Sequence, residues 1–230
     1  MIWYIMNKNA WENVDYNNFS KGFSKSRKYM KWEEIDYFLW IIKSENRELS
    51  ILDVWCWSWR LLWELLNSGL NISDYLWVDL SEWMLYEARS IYPDNNFMQL
   101  NMLDLDNLGD KKFNCIFFIA SFHHLQNFDY RLKVLKCIYN ALEKNGLVFM
   151  TNWSLNSWFN YEKYKDCIIK NSENNFWSTD FNIKIWNYDR FYHSFSLLEL
   201  EELFKKSSFE VIENRLFDSE KNIISIIKKS

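Results

Sequence analysis

Five short apolar runs separated by polar or helix-periodic stretches restrict this chain to one class of fold. They are LSILDV (49–54), YLWVDL (75–80), NFMQL (96–100), FNCIFFIA (113–120) and LVFMTNW (147–153). Each is too short for a helix and too continuously apolar for a sheet wet on one face, so each reads as a buried strand. Helical periodicity lies between them at 58–68, 82–91 and 129–144, with Pro93 and the pair Asn145–Gly146 as punctuation. Strands alternating with helices imply a parallel sheet with right-handed crossovers and helices on both faces.

The ends of the chain refine this expectation. Residues 8–19 and 29–43 read as two N-terminal helices, the second with Ile35, Phe38, Leu39 and Ile42 at helical spacing. Residues 154–190 are polar, rich in asparagine and aromatics and weakly periodic, which suggests an insertion. Helix 196–207 then leads into FEVIENRLF (209–217) and NIISIIKK (222–229), joined without a helix. That closing pair predicts a hairpin, hence an antiparallel strand at the end of the sheet. The expected fold is a Rossmann-like, seven-stranded, mostly parallel α/β sheet. A helical cap with a basic segment spans 1–46 and the main domain 47–230.

No apolar run reaches the ~18–20 residues that span a bilayer, and the N-terminus meets acid and amide residues too early for a secretory signal. A cytoplasmic protein with no membrane contact is expected. Cys56, Cys115, Cys137 and Cys167 are scattered with no CxxC pair, so neither a metal site nor a disulfide framework is expected. Net charge is −4, yet Lys21, Lys25, Arg27, Lys28 and Lys31 cluster with no acid among them.

The chemistry concentrates at strand ends. Ile51-Leu52-Asp53-Val54-Trp55-Cys56-Trp57-Ser58-Trp59-Arg60 places an acid at the end of the first strand and a turn before the first helix. With glycine at its three tryptophans the run would read ILDVGCGSGR, and in that form it resembles the first motif of class I S-adenosylmethionine-dependent methyltransferases. YLWVDLSEWML resembles the family's second motif, again with tryptophan (Trp77) for glycine, and FNCIFFIASFHHL its fourth. The spacing DxWxWxW and the closing hairpin distinguish the chain from nicotinamide dehydrogenases, whose turn reads GxGxxG.

The resemblance implies S-adenosylmethionine as cofactor. It implies that Asp53 sits near the cofactor's amino group and that Trp55, Cys56, Trp57, Ser58 and Trp59 form the turn beneath its methionine part. Asp79, with Leu80, takes the ribose hydroxyls. Asn101 and Met102 face the adenine, and Ala120 flanks the transferred methyl.

Average glycine content is about 7 %, whereas this chain has 4 glycines beside 14 tryptophans. A bulky residue takes positive φ only at a cost, and the motif needs glycine there. Two readings follow: a degenerate relative that binds no cofactor, or UGA codons read as glycine in the source organism. The second accounts both for the shortage and for the placement of Trp55, Trp57, Trp59 and Trp77. Leu100 and Ser208 also stand where glycine is frequent.

A narrower resemblance lies outside the common core. The stretch Phe23 to Lys31 with Trp32, Ala120-Ser121-Phe122-His123-His124, and Arg190-Phe191-Tyr192-His193-Ser194-Phe195 before SLLELEELF are similar to the eukaryotic tRNA wobble-uridine methyltransferases. That resemblance implies esterification of a carboxymethyl group on tRNA and a possible small activating partner subunit. Arg27 and Arg190 would clamp the carboxylate, and His124 and His193 would hydrogen-bond the uracil or the carboxylate. His123 reads as a cap on the fourth strand. A small-molecule O- or N-methyltransferase and a non-catalytic binding protein are the alternatives.

Overall fold

In a computed structural model the described residues are 32–55, 60–169, 176–185 and 188–230. Helix α1 (Glu33–Ser44) leads into β1 (Leu49–Val54), α2 (Arg60–Asn67), β2 (Ile72–Asp79), α3 (Glu82–Ile91) and β3 (Asn96–Gln99). A 3-10 helix (Met102–Leu108), β4 (Phe113–Ile119), α4 (Phe128–Ala141) and β5 (Leu142–Trp153) follow. The C-terminal part contains α5 (Trp158–Tyr164), β6 (Thr179–Ile185), β7 (Tyr188–Ser194), α6 (Leu197–Lys206), β8 (Glu210–Leu216) and β9 (Asn222–Lys228).

The main sheet has seven strands in the order β3-β2-β1-β4-β5-β9-β8. The first five are parallel, and β9 inserts antiparallel between β5 and β8. This is the predicted α/β architecture, and its two faces explain the apolar runs. One face packs α1, α2 and α3 through Phe38, Leu61 and Leu85 against Ile51, Phe117 and Phe149. The other packs the 3-10 helix, α4 and α6 through Leu105, Leu135 and Leu203 against Leu52, Phe118 and Met150. Complete burial of each such side chain contributes roughly 1.5–3 kcal/mol, which is why every central strand is apolar on both sides. None of the described helices is long and apolar enough to cross a membrane.

Three boundaries differ from the sequence reading. Residues 102–108 form a 3-10 helix where no element was expected, nucleated by Asn101, whose Oδ1 accepts the Leu103 N–H at 2.9 Å. Asn145–Gly146 does not cap α4, which stops at Ala141. Instead the pair turns the chain within the first residues of β5, where pairing with β4 jumps from Phe113↔Leu142 to Cys115↔Leu147. A Cβ at Gly146 would meet the Leu142 side chain at 2.7 Å, so the bend needs glycine. The segment read as an insertion holds α5 and a separate antiparallel hairpin, β6–β7, which runs on to Ser194. The predicted helix 8–19 and the basic cluster from Lys21 to Lys31 lie outside the described residues.

Candidate active site

The parallel strands end together on one edge of the sheet, and the motif residues gather there, as ligand sites do in open α/β sheets. Asp53 is fully buried near the end of β1, and Tyr75 Oη donates to its Oδ2 at 2.5 Å. Val54 passes into Trp55, whose N–H reaches across to the Val78 carbonyl at 2.8 Å. Trp55 has φ +59°, in the left-handed region. A side chain there costs roughly 1–2 kcal/mol relative to glycine. The sequence expectation of a glycine-type turn is thus met by the backbone, while the residue carried is an indole, buried beside the His124 ring at 6.4 Å. Cys56, Trp57, Ser58 and Trp59 lie outside the described residues.

Asp79 closes β2. Its Oδ1 accepts the Ser81 N–H at 2.8 Å, which orients the carboxylate at the strand end. Burial pushes its pKa up to about 7, against the pull of the Ser81 and Leu80 amides and of the Arg190 charge. Leu80 and Met102 pack against the sheet face carrying α4 and α6, and Asn101 uses its side-chain oxygen to start the 3-10 helix. Trp77 is buried within β2 beside Phe97 at 5.6 Å, and its indole N–H has no hydrogen-bond partner among the described residues. Such an orphaned donor costs roughly 1–3 kcal/mol.

At the end of β4, Ala120 takes φ +51°, with its N–H held by Thr151 through both the carbonyl (3.0 Å) and Oγ1 (2.9 Å). That turn throws the following 3-10 segment, Phe122–His124, across the sheet edge. His124 is fully engaged by the protein. Arg190 donates through Nη2 to His124 Nε2 at 2.9 Å, so Nδ1 carries the ring proton and donates to the Phe191 carbonyl at 2.9 Å. Burial, then the Arg190 charge, holds the ring well below its usual pKa and keeps it neutral. Arg190, only 3 % exposed on β7, also lies over the Tyr192 ring at 5.4 Å. The structure therefore joins His124 to Arg190 and gives His124 the part of aiming the guanidinium, whose charge also acts on Asp79 as the smallest of the influences on that carboxyl.

His193 occupies a different place. Its Nδ1 meets Asp180 Oδ1 at 2.5 Å and its Nε2 meets Glu199 Oε2 at 2.7 Å, so neither ring nitrogen is left for a substrate. Glu199 also accepts from Arg131 at 2.7 Å and from Ser178 Oγ at 2.5 Å. This buried network fastens the β6–β7 hairpin to α4 and α6. The sequence reading gives His193 to the substrate; in the structure two carboxylates hold its ring in place. Sequence reasoning missed Asp180, Arg131 and Glu199. The spacing Ser196-x-x-Glu199 signals a helix start, and Ser196 Oγ does accept the Glu199 N–H at 3.1 Å, but it does not reveal that the carboxylate turns inward. The other predicted clamp residue, Arg27, lies outside the described residues. Among the described residues, no group of His, Cys, Asp and Glu could hold a metal ion.

The acids and the two left-handed positions fit a nucleoside-type cofactor at this edge; the Trp55 indole does not, since it stands where a bare Cα would let a ligand approach.

Comparison with known proteins agrees with this geometry. No curated protein sequence matches the chain. A solved S-adenosylmethionine-dependent methyltransferase from Clostridium acetobutylicum superposes with TM-score 0.64 at 17 % identity, covering 94 % of this chain and all of that one. The Burkholderia thailandensis 1,6-didemethyltoxoflavin-N1-methyltransferase, solved with that substrate and S-adenosylhomocysteine, gives 0.58 at 14 % identity, over 99 % of this chain and 84 % of its own. The N-methyltransferase NodS from Bradyrhizobium japonicum, solved with S-adenosylhomocysteine, gives 0.56 at 8 % identity, over 86 % of both chains. At these identities the likeness is one of fold. The methyltransferase domain family, however, matches residues 27–214, most of the chain. The chain belongs to the methyltransferase domain family.

Proposed function

We propose that this protein is an S-adenosylmethionine-dependent methyltransferase whose acceptor is a carboxylate, the 5-carboxymethyl group of a wobble uridine in tRNA. The observation that carries the carboxylate is Arg190, a buried guanidinium aimed by His124 and coupled in charge to Asp79. Asp79 would take the ribose hydroxyls and Asp53 would lie near the amino group of the cofactor, while Ala120 gives the methyl a small neighbour. When bound, S-adenosylmethionine supplies a methyl group on a cationic sulfur. A carboxylate is already an anionic nucleophile at neutral pH, so the chain need not remove a proton. Its work is orientation, which an arginine clamp and proximity supply. A His124 with both nitrogens occupied suits such a reaction. Lysines between Lys21 and Lys31 would meet tRNA phosphates, and a small partner subunit is part of the proposal.

The same reading includes glycine at Trp55, Trp57, Trp59 and Trp77 in the native protein, decoded from UGA. Support comes from the backbone: Trp55 and Trp177 both adopt left-handed φ, +59° and +64°. Trp177 is 85 % exposed, so no packing of its indole explains the conformation. Net charge −4 favours a second reading, a small-molecule O- or N-methyltransferase, over a tRNA enzyme.

The test is transfer of labelled methyl to tRNA carrying 5-carboxymethyluridine, giving a base-labile ester. Arg190→Ala should lose turnover by far more than the small fall in cofactor affinity expected from removing its charge near Asp79, and Lys25→Ala with Lys28→Ala should raise KM for tRNA and flatten its salt dependence. Transfer unaffected by all three changes would refute the site. Transfer to small molecules but to no tRNA, with or without a partner subunit, would favour the second reading.

A further inference from the structure

Three buried side chains at the carboxyl ends of β4 and β5 carry polar atoms with no hydrogen-bond partner among the described residues. They are Ser121 Oγ, His123 Nε2 and both amide atoms of Asn152. Each residue is at most 1 % exposed, and the two strands are in register here through Ile119↔Thr151. Buried polar groups are almost always paired, so four unpaired atoms on adjoining strand ends call for a ligand or trapped water.

His123 defines what the ligand offers. The Trp153 N–H donates to His123 Nδ1 at 3.1 Å, so the proton of the neutral ring sits on Nε2, which is a donor. Burial, then the charges of Arg190 and His193, keep the ring neutral. Asn152 adds one donor and one acceptor, and Ser121 a hydroxyl that serves as either. The surroundings are flat: His123 lies against Tyr192 at 5.3 Å and Trp153 at 5.9 Å, and those two rings stack at 5.0 Å. Such a set suits a planar, uncharged group with alternating carbonyl and N–H edges, and has no charge to match an ion. Tyr192 belongs to the β6–β7 hairpin, a two-stranded sheet separate from the main one, so this aromatic wall is supplied by a different element from the strand ends that carry the polar atoms.

We propose that His123, Asn152 and Ser121 form a specificity site that reads the imide edge of the acceptor's base, beside the arginine that holds its carboxylate. The choice of base rests on the function proposed above; the site itself does not depend on a carboxylate. This places His123, read from sequence as a strand cap, in the recognition role expected of His124.

The experiment follows histidine side-chain resonances of the ¹⁵N-labelled full chain while titrating two probes. Uracil carries the imide and no carboxylate; phenylacetate carries the carboxylate and no imide. Uracil should move the His123 Nε2–H signal, and its affinity should fall about tenfold in His123→Phe and in Asn152→Leu, the loss expected for a buried hydrogen bond. Phenylacetate affinity should be unchanged in both variants. A His123 signal unmoved by millimolar uracil overturns the proposal and assigns these atoms to trapped water. Equal uracil affinity in wild type and both variants overturns it in favour of stacking alone. Uracil binding without phenylacetate binding upholds this site and contradicts the carboxylate reading of Arg190.

Discussion

Glu199→Ala isolates the contribution of the buried network. The Glu199 side chain is 2 % exposed and accepts from Arg131, His193 and Ser178. Removing it strands the Arg131 guanidinium, itself 4 % exposed, without its carboxylate. Breaking one side of a buried ion pair costs about 3–5 kcal/mol, because the remaining charge stays desolvated. Lost methylene packing adds little beside that. For a chain of this length each kcal/mol moves Tm by roughly 2–4 °C, so the drop should be about 6–20 °C. Replacing both partners with apolar residues, Arg131→Met with Glu199→Leu, should recover most of it, since neither charge is then buried. Circular dichroism melts at pH 7.5 would measure both. A Glu199→Ala loss under about 1 kcal/mol, the value of an exposed pair, would refute the reasoning and put the network in water. The sign with pH is fixed as well. Burial alone would raise the Glu199 pKa, but hydrogen bonds from His193 and the charges of His193 and Arg131 leave it below the usual value. Its stabilisation should therefore be complete above the ordinary carboxylate range and fade as pH falls through the lowered value.

Asp79 should show the opposite sign. With its folded pKa raised to about 7, its contribution to stability is full below the ordinary carboxylate value and is lost as pH rises towards 7. Ribose hydroxyls donate best to the ionised form, so S-adenosylhomocysteine affinity should climb between pH 6 and 8 by calorimetry. In Asp79→Asn it should be weaker by about 1.5–3 kcal/mol and flat with pH; a flat wild-type profile would contradict the ribose role. Peptide mass spectrometry of protein from the source organism should find glycine at positions 55, 57, 59 and 77, and tryptophan at all four would sink the recoding.

Much of the fold was legible because burial on both faces leaves an unmistakable apolar signature in β1, β2, β4 and β5, and because α3 opens on Ser81, whose Oγ accepts the Met84 N–H at 3.3 Å. The turn after β1 was legible as a backbone requirement: Trp55 is left-handed, and Ser208, also at a glycine-type position, has φ +65°. What sequence did not reveal depends on long-range pairing. The β6–β7 hairpin has weak alternation because one strand mixes charged and aromatic residues, Tyr188-Asp189-Arg190-Phe191-Tyr192-His193-Ser194, on an element outside the main sheet. The two adjacent histidines were distinguishable only by their partners. Arg190 and the Phe191 carbonyl, 66 and 67 residues away, occupy His124, whereas the Trp153 amide, 30 residues away, takes one nitrogen of His123.

Calorimetric titration with S-adenosylhomocysteine of two forms, the chain as written and the variant carrying Trp55→Gly, Trp57→Gly, Trp59→Gly and Trp77→Gly, tests the central claim most directly. The glycine form should bind, Asp79→Ala within it should weaken that binding, and the tryptophan form should bind poorly because side chains replace hydrogen in the turn the cofactor must approach. Equally tight binding by the tryptophan form, or none by the glycine form, would contradict the placement of the cofactor at this strand edge.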